Sequence, residues 1–224
     1  RIMERQLDGR ASHMLRHSIE EKGIKIITEA NTEALIGKNG HVSQIRLKDG
    51  TLLDADLVVF AVGIRPNITL AQSAGLRCNR GILVNDTMQT FDPSIYAVGE
   101  CIEHRNQTFG LVEPLWGQAF ICATHLAEHG SLTFKSPTVP TQLKVSGVDV
   151  FSAGNFEPKE DYEDIILNDE KRHIYKRIII QKDKVIGAVL FGDTDDGMWY
   201  AELIADQTPV STFRNKLLFG KDFA

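Results

Sequence analysis

Several patterns are missing from these 224 residues, and each absence removes a class of protein. Cysteine is scarce: Cys78, Cys101 and Cys122 form an odd set without a CxxC pair. That argues against a disulfide framework or a zinc ribbon, and a reducing, cytoplasmic compartment is expected. No window of eighteen apolar residues occurs, so no membrane-spanning helix is expected. The chain opens on Arg1 rather than methionine, and RIMERQLDGR lacks the apolar stretch of a signal peptide. The net charge of -5 is spread along the chain with dispersed Lys and Arg, so the footprint of a nucleic-acid binder is missing. No GxGxxG turn appears. Gly37-Lys38-Asn39-Gly40 and Gly192 lie in hairpin-like contexts with no phosphate-binding helix after them.

What is present suffices for one or two cores, since 42% of the residues are hydrophobic. Ala11, Met14, Leu15 and Ile19 repeat at helical spacing until Gly23 stops them. GIKIITEA reads as a short strand. The meander that follows is punctuated by the turn dipeptides Asn39-Gly40 and Asp49-Gly50. Leu57 to Val62 is apolar without alternation, which predicts a strand covered on both faces. A brief helix follows between Pro66 and Gly75, then strand-like ILV and SIYAV. Pro114 sits where a helix to about Glu128 begins, a place where its missing amide hydrogen costs nothing. SLTFKSPTVPT reads as a linker, with a boundary near residue 135. The remainder reads as antiparallel strands and two short helices split near Pro209.

Two stretches share a design. DADLVVFAVGIRPN and SIYAVGECIEH each predict an apolar strand ending in a small-residue turn, at Gly63 and at Gly99. Glycine there lets the backbone approach a ligand, although tight strand-to-helix packing alone uses the same pattern. Glu100 could accept hydrogen bonds from vicinal hydroxyls, or serve as a capping carboxylate. Cys101 with His104, and Cys122 with His125 and His129, read as a turn and a polar helix surface, and no metal is expected.

Taken together, AVGIRPN and SIYAVGE resemble the two distal fingerprints of the pyridine nucleotide-disulfide oxidoreductase family. The strings ERQLD, AVGECIEH, LVEPLWGQA and LKVSGVDVFSAGNF are similar to its branch of NAD(P)H-dependent nitrite reductase large subunits. The resemblance implies an α/β plus α+β fold: an incomplete FAD/NAD(P)-binding two-dinucleotide-domain fold, then a small antiparallel-sheet and helix C-terminal domain. It implies residues 1–66 as the end of the NAD(P)-binding domain, 67–134 as the C-terminal part of the FAD-binding domain and 135–224 as the small domain. Gly63 and Ile64 would close the nucleotide insertion, while Gly99 and Glu100 would meet the ribitol and pyrophosphate part of FAD. Glu100 stands where the family usually carries aspartate. The helix of Pro114, Leu115 and Trp116 would point its positive end at the flavin pyrimidine, with backbone amides near Leu115 and Trp116 as donors.

The same resemblance implies FAD and NAD(P)H as cofactors of the full-length protein, and a hydride passed to flavin and on to metal centres and nitrite. The rest of the polypeptide would supply the glycine-rich loops and those metal centres, so the chain alone is expected to hold no cofactor. No residue reads as a catalytic acid, base or nucleophile. Alternatives are a rubredoxin or ferredoxin reductase, an NADH oxidase, or a non-catalytic dimerisation or docking module. The last would use Met198, Trp199, Tyr200, Phe213 and Phe219, which equally suit a small helical core.

Overall fold

Asp8 starts the first helix. Its extended backbone and side chain, which accepts from the Ala11 amide at 3.0 Å, make it the N-cap of α1, Gly9–Glu20. Ala11 and Leu15, one turn apart, are fully buried and Met14 and Ile19 flank them, so the predicted apolar face is the one used. In this computed structural model, residues 1–128, 130, 132–136, 140–145, 147–158 and 161–223 are described. They divide into two units, Arg1–Val58 with Pro140–Ala224, and Val59–Val139.

The first unit carries a three-stranded antiparallel meander, β1 (Thr32–Lys38), β2 (His41–Leu47) and β3 (Leu52–Asp54). Its first turn has positive φ at both Asn39 and Gly40, the geometry that matches the right-handed twist of a hairpin. The segment 55–139 contains β4 (Ile82–Val84), β5 (Ile102–His104) and β6 (Gln107–Thr108), which belong to the second unit; after it come β7 (Thr141–Val145), β8 (Val148–Gly154), β9 (Glu163–Asp169), β10 (Ile174–Gln181) and β11 (Lys184–Phe191). These five form one antiparallel sheet in the order β7-β8-β11-β10-β9.

Both faces of that sheet are covered. On one face Val150, Tyr175, Val189 and Phe191 meet Leu7, Ala11 and Leu15 at α1. On the other, Phe151, Ile178, Ile180, Ala188 and Leu190 meet Tyr200, Leu203 and Ile204 of α4 (Gly197–Asp206), with Val210 and Leu217 beyond it. Burial on both faces explains why RIIIQ and GAVLF read as continuous apolar runs within an antiparallel sheet. The second predicted terminal helix is instead a pair of 3-10 turns, Arg214–Phe219 and Lys221–Phe223. Of the aromatic end, Tyr200 is core and donates to the Leu217 carbonyl, and Trp199 and Phe213 pack beside it; Met198 and Phe219 are exposed.

A buried polar clip fastens α1 to the sheet. The Asp8 carboxylate accepts from the Tyr175 hydroxyl at 2.8 Å and from the Arg177 guanidinium at 3.1 Å. Arg177 also reaches Asp164 at 3.0 Å and the Phe156 carbonyl at 3.1 Å. Burial, reinforced by the Asp8 charge, holds the Tyr175 hydroxyl protonated far above the ordinary tyrosine range.

The second unit holds α2 (Thr69–Ser73), β4 (Ile82–Val84), β5 (Ile102–His104), β6 (Gln107–Thr108) and α3 (Glu113–Leu126). β4 and β5 pair in parallel, and β6 closes antiparallel on β5. Its core is small: Met88, Ile102, Phe109, Ile121 and Phe134.

Three expected strands are not formed. The segment 23–30 is irregular, with Ile24 and Ile27 exposed. Leu57 to Val62 pairs with nothing among the described residues, and Leu57, Val59, Phe60 and Val62 are 80%, 77%, 66% and 90% exposed. An apolar run becomes a covered strand only where neighbours exist on both faces and both edges, and these residues have none. SIYAV makes only the isolated bridge of Tyr96 to Gln89; the strand falls after the glycine, at β5. The expected linker is described only in part, since 131 and 137–139 lie outside the described residues.

Candidate functional site

The residues singled out for cofactor binding, Gly63, Ile64, Gly99, Glu100, Pro114, Leu115 and Trp116, all lie in the second unit. Gly63 and Gly99 both adopt positive φ, +88° and +104°, and a Cβ on either would meet nothing within 4 Å. Both turns therefore require glycine for the backbone and present an open side, although neither follows a formed strand. Ile64 is exposed, but its side chain lies close over Gly110, where a Cβ would come within 3.1 Å of it. That sets the first turn against the loop leading into α3.

Gly99 is joined to α3 directly. Its amide donates to Oε1 of Gln118 at 2.8 Å, and its carbonyl accepts from Ile102 at 3.4 Å. Glu100 is exposed, and its carboxylate makes no hydrogen bond or ion pair among the described residues. Its charge is free for an external donor.

Helix α3 starts as its sequence predicts. Pro114 lies in the first turn and is buried, Glu113 puts a negative charge at the positive end of the dipole, and Leu115 joins the small core. The Leu115 amide already donates to the Val112 carbonyl at 3.0 Å, so it is engaged within the turn. Trp116 is 73% exposed, and Phe120, one turn on, is 62% exposed. A shallow cavity of about 400 Å³ opens beside these turns, lined by Pro114, Gly117, Phe120, Ile121 and Phe134.

The largest surprise is how much polar structure supports this region. Glu103, expected in a turn, is buried in β5 and accepts from the Asn79 side chain at 3.1 Å and the Arg80 and Gly81 amides at 2.8 and 3.1 Å. Burial opposes its charge, but these donors outweigh it and hold the carboxyl below the ordinary range. His104 is equally buried, with Nε2 at 2.8 Å from Asp86 Oδ1. Arg105 binds the same carboxylate through two nitrogens, at 3.0 and 2.6 Å. The Arg105 guanidinium, followed by His104, draws the Asp86 carboxyl down to about 2. His125 is half-buried and hydrogen-bonded to the Tyr96 hydroxyl at 2.8 Å, and His129 lies outside the described residues. Among the described residues no group of three or more His, Cys, Asp or Glu could hold a metal. Burial pushes the thiols of Cys78 and Cys122 up, which favours unreactive protonated forms.

Gln118 and Glu103 went unnoticed in the sequence. Gln118 did leave a signal: Pro114, Gln118 and Ile121 form the buried stripe of α3 at i, i+4 and i+7, so a glutamine occupies a core position. Glu103 left none, because its donors, the Asn79 side chain and the backbone amides of Arg80 and Gly81, lie more than twenty residues away.

Glycine-ended turns gathered at the head of a helix, with a separate antiparallel domain sandwiched by helices, define the class of two-dinucleotide-domain proteins with a small C-terminal sheet domain. More narrowly, the chain belongs to the pyridine nucleotide-disulphide oxidoreductase family, whose profile matches residues 1–119. Residues 140–208 match the rubredoxin NAD+ reductase C-terminal domain.

The chain is 46% identical over 210 residues to nitrite reductase [NAD(P)H] of Bacillus subtilis, covering 94% of this chain and 26% of that protein. It is 36% identical over 201 residues to the nitrite reductase (NADH) large subunit of Escherichia coli, covering 87% and 24%. Among solved structures, NADH:rubredoxin oxidoreductase from Clostridium acetobutylicum superposes with a TM-score of 0.71 at 26% identity, over 97% of this chain and 53% of that one. The chain thus spans about a quarter of the length of the curated relatives it matches. No helix among the described residues is long and apolar enough to cross a membrane.

Proposed function

We propose that this chain is the flavin-facing segment of an NAD(P)H-dependent oxidoreductase of the nitrite reductase kind. In this reading residues 1–66 end the NAD(P)-binding domain, 67–134 complete the FAD-binding domain, and 135–224 form the small appended domain. The observation that carries it is the Gly99 turn, held open-sided at the head of α3, with the free carboxylate of Glu100 beside it. Such a turn fits the sugar-phosphate side of a flavin nucleotide: glycine leaves the space, and Glu100 offers acceptors to ribitol hydroxyls. The head of α3 supplies a positive dipole end for negative charge developing on a reduced ring. Trp116, exposed at that end, would cover and dry one side of the ring. FAD, when bound, supplies the hydride acceptance and one-electron release that no side chain here offers.

The exposed apolar residues support the same reading. Val59, Phe60, Val62, Leu70 and Trp116 flank a five-residue core, a proportion expected of a unit that other parts of a longer polypeptide cover. Three dispersed cysteines favour a cytoplasmic setting. A second acceptor class, rubredoxin or ferredoxin, is favoured by the match of residues 140–208 to the rubredoxin reductase C-terminal domain.

An anaerobic FAD titration tests the proposal, followed by flavin fluorescence on this chain and on a longer polypeptide that also carries a GxGxxG segment. The expected result is saturable binding by the longer polypeptide and none by the chain alone. A longer polypeptide that binds no FAD would overturn it.

A further inference from the structure

Gln118 is fully buried on α3, yet only half of its amide is used. A backbone N–H can only donate, so the Gly99 amide fixes Oε1 as the atom that faces it and leaves Nε2 on the other side. That Nε2 is buried and has no hydrogen-bond partner among the described residues. Native interiors rarely carry an unsatisfied donor, and when they do a ligand or ordered water commonly accounts for it. Here the donor lies within one amide group of the Gly99 turn, whose Cβ side is open space. Both backbone groups of Gly99 are already engaged, so this turn can gain a new donor from Gln118 but not from Gly99 itself.

We propose that Gln118 is a positioning residue for the flavin nucleotide, clamping Gly99 through Oε1 and donating from Nε2 to an acceptor oxygen of the nucleotide, directly or through one water. The inference rests on the flavin reading above and deepens it. A hydrocarbon at 118 would release the Gly99 amide and remove the donor together. A carboxylate would keep the acceptor and lose the donor, until protonation restores a group with one of each.

The test uses the FAD-binding longer polypeptide, wild type and with Gln118→Leu or Gln118→Glu, and measures the FAD dissociation constant together with hydrogen exchange of the Gly99 amide. Gln118→Leu is expected to weaken FAD roughly tenfold and to speed Gly99 exchange even without flavin. Gln118→Glu is expected to weaken FAD at pH 8 and to approach wild type, measured at the same pH, as the pH falls to 5. Gln118→Glu also carries the test should the leucine variant fail to fold. If wild type binds FAD and both variants bind it equally well at both pH values, Gln118 has no role toward the nucleotide and only this inference falls. If the wild-type polypeptide binds no FAD, the flavin reading falls and takes this inference with it.

Discussion

Replacing Asp8 by alanine removes three interactions at once, and the structure lets the loss be apportioned. The helix cap, the Asp8–Ala11 hydrogen bond, is of a kind worth about 1 kcal/mol. The partner left behind matters more. The Arg177 side chain is 13% exposed, and removing one member of a buried ion pair costs about 3–5 kcal/mol. Arg177 keeps Asp164 and the Phe156 carbonyl, so the lower end of that range applies. Asp8→Ala should therefore destabilise the first unit by about 4 kcal/mol, near 10 °C in Tm for a unit of that size. Asp8→Asn keeps the cap on its one oxygen but sets an NH2 group where Oδ2 accepts from Tyr175 and Arg177, so it should recover only the cap and still lose about 3 kcal/mol. Urea denaturation followed by far-UV circular dichroism, with Tyr175→Phe as the second arm of a double-mutant cycle, measures both. A loss under about 1 kcal/mol for Asp8→Ala would refute the reasoning, because it would mean that water replaces the carboxylate at no cost.

Gly81→Ala should cost about 1–3 kcal/mol, because its Cβ would lie 2.5 Å from the Ile102 carbonyl carbon on the paired strand; a thermal melt unchanged by the substitution would contradict that packing. Asp86 is held low by Arg105 and His104, so its stabilising contribution is complete above the ordinary aspartate range and is lost as pH falls towards about 2. The urea midpoint of Asp86→Asn should accordingly sit below wild type at pH 7 and converge with it between pH 4 and 2; a gap independent of pH would exclude the carboxylate as its source. Trp116→Ala should change the stability of the chain by under about 0.5 kcal/mol, since the ring is largely in solvent, while weakening FAD in the longer polypeptide. A large stability loss would instead make Trp116 a core residue.

What could be read from the sequence was whatever is encoded locally. The Ala11–Leu15 stripe, the Asn39-Gly40 turn and the Pro114 start depend on residues within one or two turns, and each formed where expected. Residues 57–62 failed for the opposite reason. Their composition is that of a covered strand, but cover is a property of neighbours, and a run of apolar residues carries no information about whether neighbours exist. Likewise SIYAV and CIEH differ little in character, and only pairing with β4 decides that the second is the strand. At the candidate site the glycine turns and the helix start were legible as motifs. The amide that ties Gly99 to α3 was hidden, since it depends on two segments nineteen residues apart meeting in space.

The clip between Asp8 and Tyr175 spans 167 residues of chain. On a ribosome adding about 5–20 residues each second, α1 would emerge roughly 10–30 s before the strand that receives it. During that interval Leu7, Ala11 and Leu15 have no sheet to cover them, and the helix they line is too short to hold its shape unaided. Helix α1 is thus made well before the sheet that gives it its place. The nascent chain is most exposed to aggregation, and most dependent on chaperones, in the time it takes to make everything between.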